Sequence, residues 1–234
     1  MAIWIYKNST DPCFSFLLYS VLFYSFYALT GHRQTIATAL IVFVGYKYIK
    51  EKKLVKFALI AFAAFTIHKS SLVFIPYYFI ANIPISPLYV LVALIVIITV
   101  VLLGKNLYAP VSEALGFGEE QIEYSKGGAE TYAAVLALMC IVILIFYYFY
   151  KNRTKNATRI FNITLLTLMS SLLVFQNQSF MRVQQYYSLF LCISFPEVIA
   201  SFEKKSRVFV YIVTTAFLLL YLIRNNPQYM FFWQ

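Results

Sequence analysis

The sequence predicts an all-α membrane protein: a polytopic bundle of about seven to nine transmembrane segments, with a short helical hairpin around His68. Three observations predict it. Hydrophobic residues make up 62% of the chain, charged residues only 12%, and the mean hydropathy is +0.75, which leaves too little polar surface to coat a soluble globule. The apolar residues fall in blocks of about 15 to 20, separated by short charged or Gly/Pro-containing stretches, as a hydrocarbon layer of roughly 30 Å demands. Runs such as Leu88 to Leu103 lack the two-residue alternation of a transmembrane β-strand.

The blocks follow in order. Cys13 to Thr30 has no small-residue cleavage site and is followed by further apolar blocks, so it is a retained helix rather than a signal peptide. Thr35 to Ile49 begins after Arg33 and ends at a lysine-rich turn. Leu54 to Ile67 and Ser70 to Ala81 form a short pair, and Pro87 to Leu103 is a full-length run. Thr131 to Tyr150, Arg159 to Phe175, Gln184 to Ala200 and Val208 to Ile223 complete the set. Nothing divides the chain, so residues 1–234 are expected to form one transmembrane domain with a loop at 104–130.

Charge sets the orientation. Lys47, Lys50, Lys52, Lys53 and Lys56 surround one turn; Lys151, Arg153, Lys155 and Arg159 fill a second; Lys204, Lys205 and Arg207 fill a third, and all three belong inside. The loop at 104–130 carries Glu113, Glu119, Glu120, Glu123 and Glu130 and is expected outside. Leu54 to Ala81 must then cross twice or not at all. At 1.5 Å per residue its two pieces reach only about 21 and 18 Å, which suits either tilted short helices or a re-entrant hairpin. With two crossings, only Arg33, Lys69, Lys105, Lys126, Arg182 and Arg224 of the 19 Lys and Arg residues lie outside.

The net charge of +10 sits at the ends of apolar blocks and so points to topology rather than to nucleic acid. Cys13, Cys140 and Cys192 have no metal or redox spacing. There is no phosphate loop, zinc spacing, Asp-rich metal motif or nucleophile elbow, and no metal or cofactor is expected. Chemistry must come from isolated polar residues at a membrane boundary. Arg33, in Gly31-His32-Arg33-Gln34, needs a partner or an anionic ligand if it is buried, and otherwise snorkels. His68 is a candidate general base or phosphate-oxygen partner, or a polar turn residue. Arg182 follows Gln176-Asn177-Gln178-Ser179 and opens a helix, where free N–H groups and a guanidinium together favour anions, with Tyr186 on the same face. Each has a plain reading as a boundary charge. Three such turns on one side suggest a phosphate-bearing ligand.

At these residues the chain resembles the EpsG-type branch of the Wzy-like polysaccharide polymerases. The pieces are Arg33-Gln34-Thr35-Ile36-Ala37, the lysine-rich turn, Phe65-Thr66-Ile67-His68-Lys69-Ser70-Ser71-Leu72, and Arg182 with Tyr186 or Tyr187 ahead of Pro196. The resemblance implies a GT-C-like fold in the bacterial cytoplasmic membrane. It also implies polymerisation, at the outer face, of oligosaccharide repeats linked to polyprenyl pyrophosphate, with a flippase and a chain-length regulator as partners. Members of the family usually run longer, and their Arg/Asp/Tyr-containing external segment has no counterpart here, so the chain is expected to be a C-terminal portion of the family's fold. Arg33 and Arg182 are expected to grip the pyrophosphate and His68 to position a phosphate oxygen or take the hydroxyl proton. Gln34, Lys69, Tyr186, Glu119 and Glu120 are expected to bind substrate, Glu119 or Glu120 being an alternative base. The competing reading is a non-enzymatic transporter or assembly subunit, which should show paired repeats and midplane polar residues.

Overall fold

In a computed structural model, which describes residues 1–24, 27, 32–115, 128–150 and 156–224, every regular element among the described residues is helical. Helix α1 (Ala2–Asn8) is short, and α2 (Pro12–Leu22) follows it. The Asp11 carboxylate caps α2 by accepting from the Phe14 N–H at 3.1 Å, and Pro12 occupies a first-turn position that needs no donor. The next helix is composite: α3 (His32–Ala39), a π-helical stretch (Leu40–Gly45) and α4 (Tyr46–Lys50). After the lysine turn, α5 (Leu54–Ile67) runs back, and a 3₁₀ stretch (Lys69–Phe74) with α6 (Ile75–Ile80) returns. Then come α7 (Pro87–Leu115), α8 (Gly128–Tyr150) and α9 (Ala157–Val174). A 3₁₀ turn (Gln178–Phe180) leads into α10 (Met181–Ser188), followed by α11 (Leu191–Ala200) and α12 (Lys204–Arg224).

Polar bonds bring the two ends of the Leu54 to Ala81 stretch together. The Asn82 amide points to Ile49 O at 3.5 Å, at the foot of α4. Arg159 Nε donates to Asn82 Oδ1 at 3.1 Å, and the Tyr77 hydroxyl donates to Arg159 O at 3.1 Å. Asn162 Nδ2 donates to Ile80 O at 2.6 Å and to Ile83 O at 3.0 Å, tying the end of α6 and the turn after it to α9. Residues 49–50, 80–83 and 156–162 therefore share one end. The chain climbs along α5 and descends along 69–80, so the His68 turn lies at the opposite end, level with the start of α3.

Four helices among the described residues are long and apolar enough to cross a membrane: Pro87–Gly104, Ala129–Phe149, Ala157–Val174 and Lys204–Arg224. Their burial differs sharply, from 67% of the window in α9 to 11% in α7 and 6% in α12. Helix α9 is the centre of the bundle, packed on α8 and α10. Its buried Thr164, Thr167, Ser170 and Ser171 return their hydroxyls to carbonyls one turn back, which removes the cost of apolar burial. Helix α7 turns Leu, Val and Ile side chains outward between Leu88 and Leu103, and α12 turns Val, Ile, Leu and Phe side chains outward between Val208 and Ile223, a surface that suits lipid.

Three boundaries differ from expectation. Helix α7 runs through Leu115, and α8 starts at Gly128, so the connection is shorter than 104–130; a drop in hydropathy at Gly104-Lys105 ends an apolar run without ending backbone hydrogen bonding. The segment Gln184 to Ala200 is broken at Leu189-Phe190, where bonds tighten to Phe190 N→Tyr187 O and Ile193 N→Phe190 O. Helix α1 was not anticipated; it is held by Trp4, whose ring packs edge-on against Phe190 at 5.0 Å.

Candidate functional site

The site is assembled from three helix ends. Arg33 is the second residue of α3 and exposed; Gln34, beside it, is buried. The Gln34 Nε2 donates to the backbone oxygen of Arg182 at 2.8 Å, which docks the start of α3 on the start of α10. Helix α10 begins where it does because Asn177 folds the preceding turn: its Oδ1 accepts from Ser179 N at 2.9 Å. Arg182, half-buried, stands one residue inside α10.

The hairpin tip supplies the third part. His68 is extended (φ −152°, ψ 116°), ends α5 and starts the 3₁₀ stretch, with exposed Lys69 next. Ser70 Oγ and Tyr186 Oη are 2.9 Å apart, and the Tyr187 hydroxyl donates to Val73 O. Two successive phenols of α10 thus fasten the tip beneath Arg182. Tyr187 also stacks on Phe74, with ring centroids 5.9 Å apart.

Electrostatics join the three. The His68 imidazole is held below its ordinary value, first by burial and then by the positive charges of Arg182 and Arg33. Its Nε2 is buried and bonds to no protein atom, as is the Ser71 hydroxyl beside it. A neutral imidazole at the same end as two permanent cations, with the Ser71 hydroxyl beside it, offers a proton acceptor and anion-binding charge at that end.

The structure brings Arg33, His68 and Arg182 to one end, with Lys69 at its edge. It turns Gln34 and Tyr186 inward, where both are spent on protein partners, so in this state they brace the helix ends instead of facing a ligand. Glu119 and Glu120 lie outside the described residues. Sequence reasoning missed Ser70, although it stands in the His68 stretch, and Tyr27, whose hydroxyl donates to Gln185 O at 2.5 Å while its own carbonyl accepts from Thr35 Oγ1 at 2.8 Å. A tyrosine inside an apolar block gives no sign of that role. At the other end the Tyr147 hydroxyl donates to Glu197 Oε2 at 2.6 Å, a pair formed by residues 50 positions apart that no local pattern announces.

A family model described as the EpsG family covers residues 1–233. Neither a curated protein nor a solved structure matches the chain.

Proposed function

Because the chain belongs to the EpsG family, we propose that it polymerises polyprenyl-pyrophosphate-linked oligosaccharide repeats into exopolysaccharide, capsule or O-antigen at the outer face of a bacterial cytoplasmic membrane. Family membership and four apolar helices support the coarser part of this reading, a membrane protein of polysaccharide biosynthesis. The observation that supports the finer part is that Gln34 Nε2 joins the start of α3 to Arg182 O while Ser70 and Tyr186 hold the His68 tip against α10. In this reading about seven to nine membrane segments form a GT-C-like bundle, the lysine-rich ends face the cytoplasm, and the His68 end faces outward.

The reaction transfers a glycan. An acceptor sugar hydroxyl attacks the anomeric carbon of the lipid-linked chain; a C–O bond forms there, and the C–O bond to pyrophosphate breaks. The hydroxyl proton leaves to a base, and the electron pair of the broken bond departs on pyrophosphate. Arg33 and Arg182 stabilise the charge that develops on the leaving group, where fixed donors act most strongly. His68, neutral in this setting, takes the proton or fixes a phosphate oxygen. No metal is needed in this scheme, because the guanidinium pair does the work of charge neutralisation. A flippase and a chain-length regulator would supply substrate and set product length.

The test is the long-chain polysaccharide ladder in a host lacking its own polymerase, with protein abundance in the membrane measured in parallel. Arg33→Ala, His68→Ala and Arg182→Lys should each lose the ladder at normal abundance. The lysine variant decides the mechanism, since it keeps the charge and loses the paired donors. A normal ladder in all three variants would reduce these residues to boundary charges.

A further inference from the structure

We propose that the groove between α5 and the returning segment 69–80 seats the isoprenoid chain of the lipid-linked substrate, with the pyrophosphate at the His68 end and the chain running toward the lysine-rich end. This rests on the reading above. The groove has a volume of about 240 Å³ and an almost wholly apolar lining, which includes Leu54, Ala58, Ala61, Phe65, Leu72 and Phe79. On α5 the residues 54, 58, 61 and 65 fall on one face at helical spacing, and Ala58 and Ala61 make its floor low. From Leu54 to Phe65 the floor extends about 16 Å, enough to hold part of a long chain against protein while the rest lies in the bilayer.

Position and charge select the occupant. Two other apolar grooves exist among the described residues, one including Leu18, Met139 and Leu218, the other Leu94, Leu144 and Phe161. Neither is lined by a residue close in the chain to Arg33, His68 or Arg182. The α5 groove is, for Phe65 and Leu72 flank the His68-Lys69 tip. A chain lying in it therefore brings its head group to a place with two guanidinium groups and the exposed Lys69. A phosphodiester headgroup carries one negative charge; a pyrophosphate carries more and matches a cluster of three cations better. Between apolar surfaces in lipid the groove adds packing rather than a hydrophobic driving force, so it sets the direction of the chain while the cations supply most of the preference.

The experiment uses the full chain in nanodiscs of phosphatidylethanolamine and phosphatidylglycerol, with a polyprenyl pyrophosphate bearing a photoreactive group on its isoprenoid chain as the probe. Labelled peptides should come from residues 54–79. Unlabelled polyprenyl pyrophosphate should compete and phosphatidylglycerol should not. Ala58→Trp, on the exposed side of α5, should cut labelling about tenfold by displacing on the order of ten van der Waals contacts. Leu59→Trp, outside the groove and 64% exposed, should leave it unchanged. Leu72→Trp serves if the Ala58 variant fails to accumulate. Labelling that falls elsewhere, that phosphatidylglycerol competes away, or that survives the groove-filling substitution overturns the proposal. Because the readout is binding, groove labelling without a polysaccharide ladder counts against polymerisation alone. A ladder with labelling elsewhere counts against the groove alone.

Discussion

The Gln34 side chain and the Arg182 backbone oxygen, 148 positions apart, share a 2.8 Å hydrogen bond that fixes the distance between two helix starts. Each start carries a guanidinium, so this one neutral contact sets how far apart the roots of two cations stand. It lets like charges be held near each other without either serving as the anchor.

Gln34→Leu should therefore loosen the junction while leaving both arginines in place. Removing a buried donor to a carbonyl that keeps its helical bond costs about 1 kcal/mol, so thermal stability in detergent should drop by a few degrees and the ladder should shorten. Gln34→Glu should do worse, because it points a carboxylate at a carbonyl. A fully active, fully stable Gln34→Leu protein would show that the contact positions nothing.

The depressed imidazole gives a pH dependence of definite sign. A lowered folded value keeps His68 neutral at neutrality, and protonation sets in only below the ordinary value of about 6.5. The unfolded chain takes up that proton first, so any contribution of His68 to stability is present above about 6.5 and is lost as pH falls through the folded value. In a His32→Gln background, the carbon chemical shift of the remaining labelled imidazole should titrate below 6.5. Arg33→Gln should move the midpoint upward by removing a cation. A midpoint at or above the ordinary value would contradict the site geometry.

Opposite ends of the bundle should face opposite compartments. With Cys13, Cys140 and Cys192 replaced by alanine, a membrane-impermeant thiol reagent applied from outside should reach Lys69→Cys and miss Lys205→Cys, both at exposed positions. The reverse pattern would put the candidate site on the cytoplasmic side, where flipped substrate is absent.

How far the sequence reveals this arrangement depends on which forces decide each part. Lys50 to Lys53 and the apolar run from Pro87 are legible because solvent partitioning acts residue by residue. The meeting of the two ends of residues 54–81 is not legible in the same way, since it is made by Arg159, Asn162 and Asn82 coming together from distant parts of the chain. Arg33, His68 and Arg182 stand out as polar breaks in apolar sequence. Tyr27 and Ser70 do not, because a hydroxyl's partner is chosen by tertiary packing. The turn at Leu189-Phe190 is likewise hidden inside an unbroken apolar run.

Over Pro87–Gly104 helix α7 touches the bundle sparingly, and at Gly104 it approaches closely. A Cβ at Gly104 would collide with the Gln176 side chain and approach Leu173 Cδ2 to 2.8 Å, while the Gln176 amide donates to Val101 O. Gly104→Leu should push α7 off α9 and cost about 1–3 kcal/mol, visible as a lower unfolding temperature. Leu102→Ala, facing outward at 77% exposure, should change little. Equal stability of the two variants would mean that α7 does not depend on this close approach.

The π-helical stretch from Leu40 to Gly45, where the Tyr46 N–H reaches back to Ile41 O, holds one residue more than the α-helical turn it replaces. Its effect is one of accommodation: the wide turn absorbs the extra residue, so Arg33 and Gln34 keep their angle relative to the lysines at the far end of the same helix. Deleting that one residue would restore uniform pitch with the face that meets Arg182 still in place, whereas deleting one from the regular turns at 35–39 would rotate that face by about 100°. Over evolutionary time this helix should tolerate a change in length within residues 40–45 and reject one within residues 35–39.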